Sequence, residues 1–261
     1  MTLVPFLFSC VLITTTPEVV SFEMRDADLL IRVCNEGSLR YVFRDDSVRR
    51  PFFCDVNAPG NSRVTRNFPP QKGVDPDDHA TFHPGIWLAF GDINGVDFWR
   101  NSGRIEHKEF VGSPKLDGTT GHFTVLNRYI APDGSEVCDD RVTYTVSPRG
   151  RGFVLGIDAS IGSALHEVVF GDQEEMGLGV RLHTPLTVKY GDGQIVNAEG
   201  GRNEAGLWGK TSAWCTYGNS ASGIAMVPHA DNFRPCWFHA RDYGLLVANP
   251  FGIHAFTGGP E

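Results

Sequence analysis

The 261-residue chain has no apolar run long enough to form a transmembrane helix, which takes about 20 consecutive residues. The longest, Leu3 to Ile13, is too short, so no membrane span is expected. There is no block of Lys and Arg. The counts are 23 Lys+Arg against 31 Asp+Glu, a formal net charge of -8. Phosphate backbones are bound by clustered cations, so nucleic acid is not an expected partner. No C-x-x-C pair occurs among Cys10, Cys34, Cys54, Cys138, Cys215 and Cys236, which argues against a zinc ribbon or a thioredoxin-type centre. Their wide spacing reads as buried thiols more readily than as a disulfide framework, although one bridge stays open. P-loop, dinucleotide and nucleophile-elbow motifs are missing, and no sequence period recurs.

What the chain has in quantity is chain breakers and short alternating runs. It carries 30 glycines and 16 prolines, which suits many strands joined by turns better than long helices. "DLLIRVCNEGSLRYVF" reads as a hairpin turning at Asn35-Glu36-Gly37. "GIWLAFGDINGVDFW" turns at Asp92 to Gly95, and Asn94-Gly95 favours a tight turn. "DRVTYTV" and "GFVLGIDAS" alternate as half-buried antiparallel strands do. Further turns are expected at Pro132-Asp133-Gly134, Pro148-Arg149-Gly150 and Gly191-Asp192-Gly193. Only "GGRNEAGLWGKTSAW" has room for a short helical turn. The expected fold class is all-β, a single large antiparallel β-sandwich.

Residues 1–20 read as an apolar N-terminal segment, either a signal remnant or a strand, which leaves the compartment open. Residues 21–261 read as one domain. The chain stops at "FTGGPE", a turn after which a sheet protein ordinarily pairs another strand, so a truncated C-terminus is expected.

Four clusters could carry chemistry. In "DPDDHATFHPG", His79 and His83 lie four apart beside Asp75, Asp77 and Asp78, between Pro76 and Pro84. The pattern fits either a divalent metal or a backbone-bonded loop; no residue is assigned to a metal and no cofactor is expected. In "GDQEEMGLGVRLH", Glu174 and Glu175 enter an apolar strand. Arg181 and His183 lie an even number of residues from Glu175, so a regular strand puts them on its face. A desolvated carboxyl there would suit proton transfer. In "GGRNEAGLWGKTSAWCTYG", Arg202, Asn203, Glu204, Trp208, Lys210, Trp214 and Tyr217 combine polar forks with flat aromatic faces, as sugar sites do. In "VPHADNFRPCWFHARDYG", His229, Asp231, Arg234, Trp237, His239, Arg241 and Asp242 precede the last clear strand.

The stretches "RPFFCDVNAPGNSRVTRNFPP", "DHATFHPGIWLAFGDINGVDFWRN", "EMGLGVRLHTPLTV", "NAEGGRNEAGLWGKTSAWCTYG" and "FHARDYGLLVANPFGIHAFTGGP" together resemble the bacterial family that carries the label "methane oxygenase PmoA". The resemblance runs from about Phe22 to the end. It implies a galactose-mutarotase-like supersandwich, a fold found among carbohydrate-active proteins, with a histidine acid and a glutamate base at a sugar ring. His83 and Glu175 are the candidates for those two catalytic parts. His79, Arg181, Arg202, Trp208, Lys210, His229, His239 and Arg241 are the candidates for binding a small-molecule or oligosaccharide ligand. A non-catalytic glycan-binding module is the alternative. The metal-dependent oxygenase named by the label is disfavoured, because the methane monooxygenase subunit so called is built of transmembrane helices and this chain has none.

Overall fold

The computed structural model describes residues 19–34 and 37–259. Eighteen strands are Val20–Met24 (β1), Asp28–Val33 (β2), Gly37–Val42 (β3), Phe52–Ala58 (β4), Ser62–Arg63 (β5), Ile86–Phe90 (β6), Arg104–Phe110 (β7), Lys115–Asp117 (β8), Thr120–Ile130 (β9), Glu136–Arg149 (β10), Gly152–Gly162 (β11), Met176–Arg181 (β12), Gln194–Asn197 (β13), Lys210–Thr211 (β14), Cys215–Gly218 (β15), Gly223–Met226 (β16), Trp237–Arg241 (β17) and Leu245–Asn249 (β18). Two short helices, Asn203–Leu207 (α1) and Ile253–Thr257 (α2), complete the described elements with one 3-10 turn. No described helix is long and apolar enough to cross a membrane.

The molecule is an all-β antiparallel sandwich. A ten-stranded sheet runs β1-β2-β3-β4-β6-β12-β18-β17-β14, with β5 paired to β4. A five-stranded sheet, β11-β10-β9-β7 with β8 on β9, and a three-stranded sheet, β13-β15-β16, pack against it. Every strand pairing is antiparallel, so each strand presents alternate residues to opposite faces. Leu29, Ile31, Tyr41, Phe53, Val180, Leu246 and Phe238 of the large sheet meet Phe123, Val125, Tyr144 and Tyr217 in the inter-sheet core.

The expected turns fall where glycine and asparagine put them. Ile93 and Val96 exchange backbone hydrogen bonds of 3.0 Å around Asn94 and Gly95, both at positive φ. The "GGRNEAGLW" stretch forms α1. The hairpin after β2 closes where expected, but residues 35 and 36 lie outside the described ones, as does the N-terminal segment through residue 18. Val20 already belongs to β1. Of the five described cysteines, all are free thiols; four are buried and Cys34 is exposed, against the expectation of burial.

The outward face of the large sheet is also covered. Its middle strands present Trp87, Ala89, Leu245 and Val247, which pack with Phe52, Cys54 and Trp99 in a second core. The loops 64–85 and 91–103 bring Phe68 and Trp99 onto this face. Gly179 is required here. A Cβ on it would sit 2.5 Å from Trp87 and 2.9 Å from Trp99, so only glycine leaves room for the two indoles, which meet edge to face at 68°. The cluster around Asp78 described next stands on this face.

Candidate functional site

The register places the site. Gly179 pairs with Trp87 on one side and Val247 on the other, and Val247 pairs with His239. One strand position further, Arg181 pairs with Leu245, which pairs with Arg241. Directly paired residues share a face, so Trp87, His239, Arg181 and Arg241 stand together. The register places Arg181 on this face, and Glu175 lies just before the start of β12. His183 lies beyond the end of β12, where its backbone N–H donates to Val64 O.

His79 and His83 close a single helical turn, with the His83 N–H donating to His79 O at 2.9 Å. The four-residue spacing therefore stacks the imidazoles, with centroids 4.7 Å apart and planes 19° apart. Below them His83 stacks on Trp87 at 5.1 Å. On the far side His79 lies near-parallel to Tyr243 at 6.3 Å. His79 has φ of 52°, a left-handed conformation uncommon outside glycine. The buried Arg66 holds this turn by donating to the carbonyls of Pro76, Asp78, His79 and His83.

Asp78 is the centre of the charge network. Arg181, 1% exposed, donates to both its oxygens, at 2.9 and 2.8 Å. His79 Nδ1 lies 2.9 Å from Oδ2. Burial opposes ionisation of Asp78, but the bonds from His79 and Arg181 hold its carboxyl below the usual range. An ionised carboxylate only accepts, so His79 carries its proton on Nδ1 and turns Nε2 outward. A carboxylate that orients an imidazole in this way is how general acids and bases are commonly held. Arg181 also lies 4.5 Å above the Tyr243 ring.

Glu175 approaches from the other end of β12. Burial raises its carboxyl above the ordinary value; Asp97 and Glu174 add to the rise, and Arg100 and His79 oppose it. Arg100 Nη2 lies against Oε2 without hydrogen-bond direction, and Oε2 is buried with no directed donor. Tyr243 bridges the two ends: burial pushes its hydroxyl up to about 12, and Arg181, Arg241, Asp78 and Glu175 all act on it.

The expectation that His83 and Glu175 line one cavity fails. His83 is 1% exposed, enclosed by His79, Trp87 and Trp99, and neither ring nitrogen has a partner. Burial and the surrounding arginines push its pKa well below the histidine value, so it stays neutral. The histidine open to solvent on this face is His79. A cleft of about 850 Å³ lies elsewhere, beside β7.

Other expected ligand contacts are redirected. Arg181 is spent on Asp78 and Tyr243, so it positions the site from beneath. His239 is 3% exposed, donates from Nδ1 to Glu174 O at 3.1 Å and accepts from Arg241 Nε at 2.9 Å. Burial and Arg241 lower its pKa to about 4. It therefore orients Arg241 and the Glu174 backbone. Arg241 itself also meets Glu204 and Glu174, at 2.7 and 3.2 Å, and lies over the half-buried Trp208 at 5.7 Å. These two stay at the rim. Arg202, Lys210 and His229 do not join it. Arg202 is exposed and donates to Gln194. Lys210 pairs with Phe238, whose side chain enters the inter-sheet core, so Lys210 stands on the opposite side from His239. The His229 side chain is 76% exposed beside Asp231. Trp214 is 38% exposed, outside the cluster of β17 and β12.

Arg66, Arg100 and Tyr243 were not singled out in the sequence. Tyr243 directly follows the flagged Arg241-Asp242, and Arg100 follows Trp99, but nothing in their spacing marks either. Arg66 sits in a proline-rich loop, with no local signal that its side chain is buried.

Residues 29–260 match a family described as "Family of unknown function (DUF6807)". The chain belongs to this family. No curated protein and no solved structure matches it.

Proposed function

We propose that this member of the family is a carbohydrate-active protein that carries out acid–base chemistry at a sugar ring, on the covered face of its large sheet. The observation that carries the reading is the pairing of an Asp78-oriented His79 with a half-buried Glu175 of raised pKa, with the Tyr243 ring between them. Two proton-transfer groups with different surroundings on one face are what removal and return of a proton at carbon or oxygen requires. In this proposal Glu175 takes a proton and His79 gives one from Nε2, in the form of the ring that carries a proton on both nitrogens. Arg100, Arg241, Glu174 and Tyr243 offer forks for hydroxyls, and Trp208 offers an aromatic face for sugar C–H groups. The resemblance to the PmoA-labelled family and a galactose-mutarotase type of fold belong to the same proposal.

A panel of mono- and disaccharides, including oxidised sugars, assayed for both binding and turnover, tests it. Turnover by the wild-type chain, abolished in Glu175→Gln with binding kept, is the expected result. No sugar bound by either protein would sink the reading. Binding without any turnover would favour the glycan-binding module instead. Among the described residues no three His, Cys, Asp or Glu side chains are arranged to share an ion, so the proposal gives a metal no role; metal analysis of the purified protein checks this.

A further inference from the structure

A cleft of about 850 Å³ opens between the end of β3, the loop 44–50 and the start of β7. Its wall includes Phe43, Val48 and Ile105, each largely buried. Four arginines line it: Arg44, Arg49, Arg50 and Arg104. The donors and acceptors can be accounted for one by one. Asp45 Oδ1 is spent on the backbone N–H groups of Ser47 and Val48, at 2.8 Å each. Glu106 and Arg104 satisfy each other at 2.7 Å. That leaves Asp45 Oδ2 and Asp46 as uncommitted acceptors and Arg44 and Arg49 as cations with no carboxylate partner among the described residues. Arg44 lies 5.6 Å from the Phe43 ring centroid, and Arg49 reaches only Asn101 O at 3.5 Å.

Arg50 supplies the second observation. It is 3% exposed, and its terminal nitrogens are spent on Phe98 O, Trp99 O, Asn101 Oδ1 and Phe82 O. Among the described residues its Nε–H is buried without a partner, as is Nδ1 of His107 on the same wall. A buried guanidinium with an unmet donor costs free energy unless something accepts from it. Burial lowers its pKa to about 9, so a negative charge nearby would relieve it.

We propose that this cleft is a second ligand site, for a small anion carried on a body with an apolar face. Arg44 and Arg49 meet the anion at the mouth, the Nε–H of Arg50 donates to it at the base, and Phe43, Val48 and Ile105 pack the apolar part. Guanidinium forks suit planar carboxylates and tetrahedral phosphates alike. Arg50 also grips the carbonyls of Phe82 and Trp99, so an occupant of the cleft would stiffen the loops that carry His79 and Arg100.

The test is calorimetric titration of the full chain at constant ionic strength with inorganic phosphate, and separately with benzoate. Saturable binding of at least one probe is expected. Arg44→Gln combined with Arg49→Gln, both exposed positions, should weaken it about tenfold or more, with the urea midpoint unchanged. If the double variant does not fold, each single variant should still weaken binding about threefold. Phosphate binding alone would assign a phosphorylated ligand and benzoate alone a carboxylated one. Neither probe binding saturably, or equal binding by wild type and the arginine variants, would overturn the proposal.

Discussion

Replacing Asp78 by Asn removes one charge from a network that contains two buried arginines. Arg181 and Arg66 are each 1% exposed, and Asp78 is the carboxylate both of them face, at 2.8 and 3.7 Å. Breaking a fully buried ion pair by deleting one partner costs about 3–5 kcal/mol. Two features reduce that figure here. The Asp78 side chain is 36% exposed, so water screens part of the charge. Asparagine also keeps one oxygen for an arginine N–H. A loss of about 2 kcal/mol at pH 7 is therefore expected, read as a lower urea midpoint with an unchanged slope. The pH dependence is the sharper part. Asp78 titrates below 3.8 in the folded chain and near 3.8 in the unfolded one. Its stabilising contribution is then complete above 3.8 and disappears as pH falls through the lower folded value. The gap between wild type and Asp78→Asn should hold from pH 7 down to about 4 and close below that. A loss under about 0.5 kcal/mol at pH 7, or a gap that stays open in acid, would refute the view that Asp78 neutralises the buried arginines.

Three further outcomes follow from named contacts. Gly179→Ala should destabilise the fold by about 1–3 kcal/mol and change the near-ultraviolet circular dichroism, because its Cβ would enter the Trp87 ring; an unaltered spectrum and midpoint would contradict the packing. His83→Leu should leave both turnover and pH 7 stability within about 1 kcal/mol of wild type, since it removes two unpartnered buried nitrogens. It should also lessen the loss of stability below pH 6.5, where the unfolded chain takes a proton that the folded ring refuses; loss of turnover would restore His83 as a catalytic group. Arg100→Met removes a charge that holds the Glu175 pKa down, so the acidic limb of the pH–rate profile should move to higher pH, and a limb that stays put would detach Glu175 from the rate.

Alternation, turn chemistry and composition were enough to determine the antiparallel sandwich, because period-2 patterns and Asn-Gly turns are local properties of the chain. The parity rule predicts a shared face for Glu175 and Arg181; the register fixes that face for Arg181, inside β12, while Glu175 lies before the strand. Arg202, Lys210 and His229 looked equivalent to Arg241 in the sequence, since all lie in polar, aromatic stretches. Only the pairing of Lys210 with Phe238 and the exposure of His229 separate them from the site. His79 and His83 were indistinguishable as residue types, yet one is solvent-facing and the other sealed beneath it. That difference comes from the turn at His79, the Arg66 side chain that holds it, and two indoles made possible by Gly179. Such contacts join residues far apart in the chain, and burial is a property of the packed whole, so tertiary structure alone decided which histidine faces outward.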